Sequence, residues 1–167
     1  MDLEPQPLTE AIEQWSQQLQ HSLNDGVYRC GFARSQSAYD HAEAALFAAL
    51  QGLEESLSRQ GPWLCGEHLT LADVRLFPTL IRWEQVYAPL FGCSRQPLWS
   101  FPAVWQWRAR FLALPGVLDT CDPLAWRTDY FGALFPLRPS ALVPAGPMDG
   151  AALQQLVSRP IPTTMER

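Results

Sequence analysis

Charge is scarce in this chain of 167 residues: Asp, Glu, Lys and Arg make up 17% of it, against 47% hydrophobic residues. That balance excludes a disordered chain. Basic residues are in deficit too. The net charge is -5 and no basic stripe is present, so nucleic acid is not an expected partner. No apolar run approaches the roughly 20 residues that cross a bilayer. The acidic start Met1-Asp2-Leu3-Glu4-Pro5 has no signal-peptide core, so the reading is a cytoplasmic protein without membrane contact. Cys30, Cys65, Cys93 and Cys121 show no CxxC spacing, and the three histidines do not join them in a metal pattern. No metal site is expected, and the cysteines read as free thiols in a reducing compartment. Neither an internal repeat nor a strand pattern is found. The expected fold class is all-α, in one domain large enough to bury a real core.

What is present is helical periodicity. Leu8, Ile12, Trp15, Leu19 and Leu23 set one apolar face on a helix of roughly 16 residues. Asn24-Asp25-Gly26 reads as its stop, with the glycine left-handed. The short apolar stretch Val27 to Ala33 reads as an extended connector pinned by its neighbours. Ser37 with Asp40 has the capping-box spacing, with Ser35 competing, ahead of a long helix through Ala42, Leu46, Leu50, Leu53 and Leu57. The chain is organised around Leu69 to Trp83. Thr70 and Asp73 form a capping box there, and the loss of Asp73 should cost on the order of 1 kcal/mol or more. Leu71, Val74, Leu76, Phe77, Leu80, Ile81 and Trp83 cover most sides of the helix that follows, so it is buried and other helices wrap it. Pro78 deletes one of its hydrogen bonds.

Pro102 begins a further helix, and Asp122-Pro123 another that carries Trp126 and Tyr130. From Phe135 to Pro147 the prolines predict an ordered, extended wrap that buries Leu137, Leu142 and Val143. Residues 148–167 read as a mobile tail, with a helical turn hinted at by Leu153 and Leu156.

Several stretches together resemble one family. Trp63-Leu64-Cys65-Gly66-Glu67-His68-Leu69-Thr70-Leu71-Ala72-Asp73 resembles the helical C-terminal domain of glutathione transferases. Asn24 to Ala33 with Ser35-Gln36-Ser37-Ala38-Tyr39 is similar to the xi class, the glutathionyl-hydroquinone reductases. So are Ala72 to Trp83 running on to Val86-Tyr87 and Cys93, and Leu114-Pro115-Gly116-Val117 followed by Tyr130 and Pro144-Ala145-Gly146-Pro147. The resemblance covers about residues 2–147. It implies a glutathione transferase C-terminal-like helical bundle over 1–147, with 148–167 as the tail.

Family members are about twice as long. Their N-terminal half is thioredoxin-like, binds the co-substrate glutathione and carries the catalytic cysteine. By resemblance that site lies outside these residues, so no catalytic or glutathione-binding residue is assigned here. The family cleaves glutathionyl-hydroquinones between the two domains, where a tyrosine offers both an apolar ring and a phenol donor to a developing phenolate oxygen. By motif position Tyr28 and Tyr130 correspond to its substrate-site tyrosines. Each has a second reading: Tyr28 bonds a backbone group, or Tyr130 packs at a hinge. The family's basic residues around the latter are replaced by Arg127-Thr128-Asp129-Tyr130-Phe131-Gly132-Ala133. Tyr39 and Tyr87 read as packing residues. Cys30 reads as a small core residue rather than a substitute nucleophile, and Arg75 and Arg82 as structural ties. Two functions follow. The chain is the quinol-binding half of a glutathionyl-hydroquinone reductase, partnered by a thioredoxin-like domain or a homodimer mate. Alternatively it is a stand-alone binding or scaffold module. A partner would sit on apolar surface exposed by residues 8–24 and 70–86, at Trp15 and Trp83.

Overall fold

The computed structural model describes residues 2–134, 137 and 139–160. Among them there are helices and two isolated bridges, Trp63 with Gly66 and Cys65 with His68, and no strand. The helices are α1 (Thr9–Leu19), α2 (Gly26–Gly31), α3 (Gln36–Gln60), α4 (Leu71–Ile81), α5 (Ala88–Phe91), α6 (Pro102–Leu112), α7 (Pro123–Ala133) and α8 (Gly150–Val157). Two wide π-helical turns, Gln20–Asn24 and Trp83–Tyr87, link α1 towards α2 and α4 to α5.

Helix α4 is the buried axis: Ala72, Leu76, Leu80 and Ile81 are at most 2% exposed. Its start is fixed by Asp73, whose carboxylate is fully buried and accepts four hydrogen bonds. The Leu64 amide donates at 3.0 Å, the Thr70 amide at 3.0 Å, the Thr70 hydroxyl at 3.1 Å and the Trp107 indole at 2.8 Å. The capping box is therefore also the joint between α4, the 63–66 turn and α6. The Leu3 carbonyl accepts from the Leu71 amide at 2.9 Å and draws the beginning of the chain across the same end.

Other starts follow their sequence signals. Asp122 accepts from the Ala125 amide at 2.9 Å, and Pro102 opens α6. For α3 the competing Ser35, not Ser37, is the cap: it accepts from the Ala38 amide at 3.1 Å. Trp83 is 1% exposed and stands edge-on to Phe47, and Trp15 is half-buried against the core, so neither supplies an open face. The apolar groove nearby instead involves Leu3, Val74, Phe77, Pro78 and Leu114.

Three expectations are corrected. First, Gly26 does not stop the helix and residues 27–33 are not extended. Asp25 is right-handed helical (φ -83°, ψ -23°), and Gly26–Gly31 forms α2. The glycines serve proximity: a Cβ at Gly26 would lie 3.0 Å from Leu46 Cδ1, and one at Gly31 would lie 2.4 Å from the Phe91 ring. Second, Leu142 and Val143 are 65% and 42% exposed rather than buried. The strap is held instead at Gly146, where a Cβ would lie 2.8 Å from both Arg127 and Gln85 side-chain atoms. Third, residues 150–157 of the expected tail form α8, capped by Asp149 on the Ala152 amide, with Leu153 and Val157 each 1% exposed. The apolar pair is spaced by four, so one turn of α8 docks on the core. Phe135, Pro136, Arg138 and 161–167, where parts of the wrap and tail readings fall, lie outside the described residues.

Candidate functional site

The two tyrosines singled out in the sequence meet. Tyr28 rides on α2 and Tyr130 near the end of α7, and their hydroxyls are 2.6 Å apart across 102 positions of chain. A third phenol joins them: the Tyr87 hydroxyl lies 3.3 Å from that of Tyr130. Tyr87 is 2% exposed and Tyr28 37%, so the phenols run from the core to the surface. Phe91 braces the cluster, its ring 5.3 Å from that of Tyr28 and 5.6 Å from that of Tyr87. Phe32, half-exposed, continues the wall with its ring nearly parallel to Tyr28 at 6.5 Å. The absence of a Cβ at Gly31 is what lets Phe91 enter between them.

Burial, followed by the contact with Tyr130, raises the pKa of Tyr87 and Tyr28; Tyr87 and the nearby Arg82 charge work the other way on Tyr28. Tyr28 and Tyr87 are therefore neutral donors at ordinary pH. If Tyr87 donates to Tyr130 and Tyr130 to Tyr28, the Tyr28 proton is left for a ligand, and a chain of such bonds polarises its terminal donor. Aromatic walls with one outward phenol suit a planar ring carrying oxygen.

Comparison with known proteins gives the chain a family. A family model described as glutathione S-transferase, C-terminal domain matches residues 36–110. The chain is 34% identical over 156 residues to glutathionyl-hydroquinone reductase PcpF of Sphingobium chlorophenolicum, covering 92% of this chain and 50% of that protein. It superposes with a TM-score of 0.84 on the glutathione-bound structure of YqjG, a glutathione transferase homolog from Escherichia coli K-12, at 32% identity over 88% of this chain and 47% of that one. A TM-score of 0.84 is also found with the glutathione-S-transferase Xi from Phanerochaete chrysosporium, at 34% identity over 90% and 48% of the two chains. The chain belongs to the glutathione transferase C-terminal-domain family. Its relatives are glutathionyl-hydroquinone reductases and xi-class transferases, and it spans about half of their length.

In this helical domain the remaining sequence candidates take structural places. Tyr39 donates to the Gly92 carbonyl at 2.6 Å. Arg75 is exposed, while Arg82 is half-buried with its guanidinium 5.3 Å from the Trp126 ring centre. Arg127 is buried and donates to Gln85 at 2.9 Å, so it adds no charge at the mouth of the tyrosine site; burial lowers its pKa. Cys30 is 3% exposed. Among the described residues no group of three or more His, Cys, Asp or Glu is placed to hold a metal ion, and no helix is long and apolar enough to cross a membrane. Sequence reasoning missed the part of Tyr87 in the cluster. Its apolar surroundings marked it as core, which its ring is, and only the position of its oxygen shows the contact.

Proposed function

We propose that the chain forms the aromatic wall of a glutathionyl-hydroquinone site and acts together with a thioredoxin-like domain in the reducing cytoplasm. The observation that carries this is the meeting of the Tyr28 and Tyr130 hydroxyls at a wall of rings open to the surface. In that reaction a cysteine thiolate of the partner domain attacks the glutathionyl sulfur. The sulfur-bearing ring carbon first takes up a proton as a ring hydroxyl gives one up, forming a ketone tautomer. A sulfur–sulfur bond then forms, the carbon–sulfur bond breaks, and its electron pair restores the aromatic ring and passes onto the ketone oxygen, which is protonated to give the hydroquinone. The outward phenol of Tyr28 is suited to donate to that oxygen as charge develops. A second glutathione resolves the mixed disulfide.

Glutathione carries two carboxylates, and the cation whose charge reaches the Tyr28 phenol is Arg82, which is half-buried over Trp126. This fits poorly with both carboxylates being held by these helices. The glutathione site is therefore assigned to the partner domain, in keeping with relatives twice as long. The groove of Leu3, Val74, Phe77, Pro78 and Leu114, about 710 Å³ and almost wholly apolar, is where that domain would dock.

The test is binding followed by complementation. Titration of the chain with a glutathionyl-hydroquinone is read by tryptophan fluorescence, Trp126 lying beside Arg82. Tyr28→Phe should weaken binding about tenfold, the worth of roughly one hydrogen bond. Adding the separate thioredoxin-like half of a xi-class relative should then restore hydroquinone release. Equal binding by wild type and Tyr28→Phe, or no binding at all, would overturn the proposal.

A further inference from the structure

One buried cation behind the tyrosines has no part in the chemistry above. Arg127 of α7 is 2% exposed, yet its guanidinium meets only neutral acceptors. Nη1 donates to the Gln85 side-chain oxygen at 2.9 Å, and Nη2 donates to the Met148 sulfur at 3.9 Å. Nε has no partner among the described residues, and no carboxylate there pairs with the group. The buried Arg108, by contrast, has Glu84 at 2.6 Å.

The chain on both sides of Met148 holds its sulfur in place. Before it, Gly146 lies so close to Arg127 and Gln85 that a Cβ would stand 2.8 Å from each, and Pro147 restricts the backbone. After it, Asp149 accepts from the Ala152 amide and starts α8, whose Leu153 and Val157 are buried. The contact also lies close to the phenols. Arg127 precedes Tyr130 by three residues on α7, so the two share a face. The Arg127–Gln85 bond and the Tyr130–Tyr87 contact are thus two rungs between α7 and the Trp83–Tyr87 turn.

The sulfur contact joins unlike partners. Met148 is 62% exposed, so a side chain open to solvent serves a cation that is not. A thioether is a weak acceptor, and a buried donor without a good acceptor is unfavourable. An oxygen on that sulfur would be a far better acceptor, and cationic donors make the stronger bonds.

We propose that Met148 is a modification site, at which oxidation by hydrogen peroxide fastens the strap of residues 139–149 to Arg127 of α7. The thioether sulfur attacks one oxygen of the peroxide. A sulfur–oxygen bond forms, the oxygen–oxygen bond breaks, and the departing hydroxide takes the proton of the transferred hydroxyl and leaves as water. The sulfur is oxidised by two electrons and the peroxide is reduced. The sulfoxide oxygen then accepts from Nη2 of Arg127. Sulfoxide formation ordinarily disrupts packing, because it places a polar group among apolar ones. Here it meets a buried cation that lacks a strong acceptor, so the effect on stability has the opposite sign. A thiol-dependent sulfoxide reductase reverses the step: the oxygen leaves as water and two thiols become a disulfide.

The chain is treated with excess hydrogen peroxide and then with dithiothreitol, which returns disulfides and sulfenic acids to thiols. Peptide mass mapping should show one added oxygen on Met148. In urea denaturation followed by tryptophan fluorescence, the oxidised chain should have an unfolding constant about tenfold lower than the untreated one, the worth of roughly one hydrogen bond to a charged group. Methionine sulfoxide reductase should reverse that gain. Met148→Leu, which keeps the other two methionines and all four cysteines, should show no gain on the same treatment. Met148→Gln supplies a carbonyl oxygen without any oxidant and should be more stable than Met148→Leu by a similar factor. Arg127→Leu should abolish the gain on oxidation; if that variant does not fold, the comparison of Met148→Gln with Met148→Leu decides. Met148 left unoxidised, stability unchanged or lowered by its oxidation, an equal gain in Met148→Leu or Arg127→Leu, or Met148→Gln no more stable than Met148→Leu would overturn the proposal.

Discussion

Asp73→Ala should unfold this domain or bring it close to unfolding. The carboxylate is fully buried and satisfies the Leu64 amide, the Thr70 amide, the Thr70 hydroxyl and the Trp107 indole. The hydroxyl has an alternative in the Cys65 sulfur at 3.6 Å. The other three donors would be left in a dry site. At about 1–3 kcal/mol for each buried donor left without a partner, the loss is roughly 3–9 kcal/mol. The stability of a whole domain is about 5–15 kcal/mol. The sequence spacing set a lower bound on the order of 1 kcal/mol, because it reports the Thr70 contact and not those to Leu64 and Trp107. Asp73→Asn should cost less, since its carbonyl can still face Leu64 and Trp107, but its amide would oppose the Thr70 amide. Urea denaturation followed by tryptophan fluorescence measures both variants. A double-mutant cycle with Trp107→Phe isolates the indole bond, and a coupling of about 1.5 kcal/mol or more is expected for a donor to a buried charge. A loss below about 1 kcal/mol for Asp73→Ala would refute the claim that this carboxylate joins three parts of the fold.

Further outcomes are expected elsewhere. Gly31→Ala puts a methyl 2.4 Å from the Phe91 ring and should cost about 1–3 kcal/mol in thermal or chemical unfolding, with weaker quinol binding. Glu84→Ala removes the carboxylate 2.6 Å from the fully buried Arg108 and should cost about 3 kcal/mol, read by the same denaturation. With the folded pKa of Tyr28 and Tyr87 raised above the ordinary value of about 10, the unfolded chain loses protons first. Stability should hold below pH 10 and fall as pH rises beyond it, more steeply in wild type than in Tyr87→Phe, as denaturation from pH 8 to 11 would measure.

Signals that depend on two or three neighbouring residues were readable in the chain. The Thr70 to Asp73 spacing, the Asp122 cap and the proline at the start of α6 each define their element locally, and the apolar circumference of α4 requires surrounding helices. The xi-class motifs likewise pointed to Tyr28 and Tyr130. Gly26 and Gly31 misled because a glycine reads the same whether it provides a left-handed turn or room for Leu46 and Phe91. Leu142 and Val143 misled because apolar residues in a proline-rich strap need not be buried when the strap is held at Gly146. The part of Tyr87 was hidden for a different reason: periodicity locates a ring in the core, but where its oxygen ends depends on the meeting of the Trp83–Tyr87 turn and α7.

The two wide turns at Gln20–Asn24 and Trp83–Tyr87 have an evolutionary consequence. Each holds roughly one residue more than a regular helical turn, and one residue advances the direction of whatever follows by about 100°. Deleting a single residue before Tyr28 would restore a regular helix and swing that phenol away from Tyr130, with every aromatic side chain intact. The same holds for the turn that carries Tyr87. The phenol cluster can therefore be assembled or dismantled by one-codon insertions and deletions that leave every one of its tyrosines in place. Homologous chains that keep all three tyrosines but differ by one residue in either turn would then be expected to have a differently shaped site.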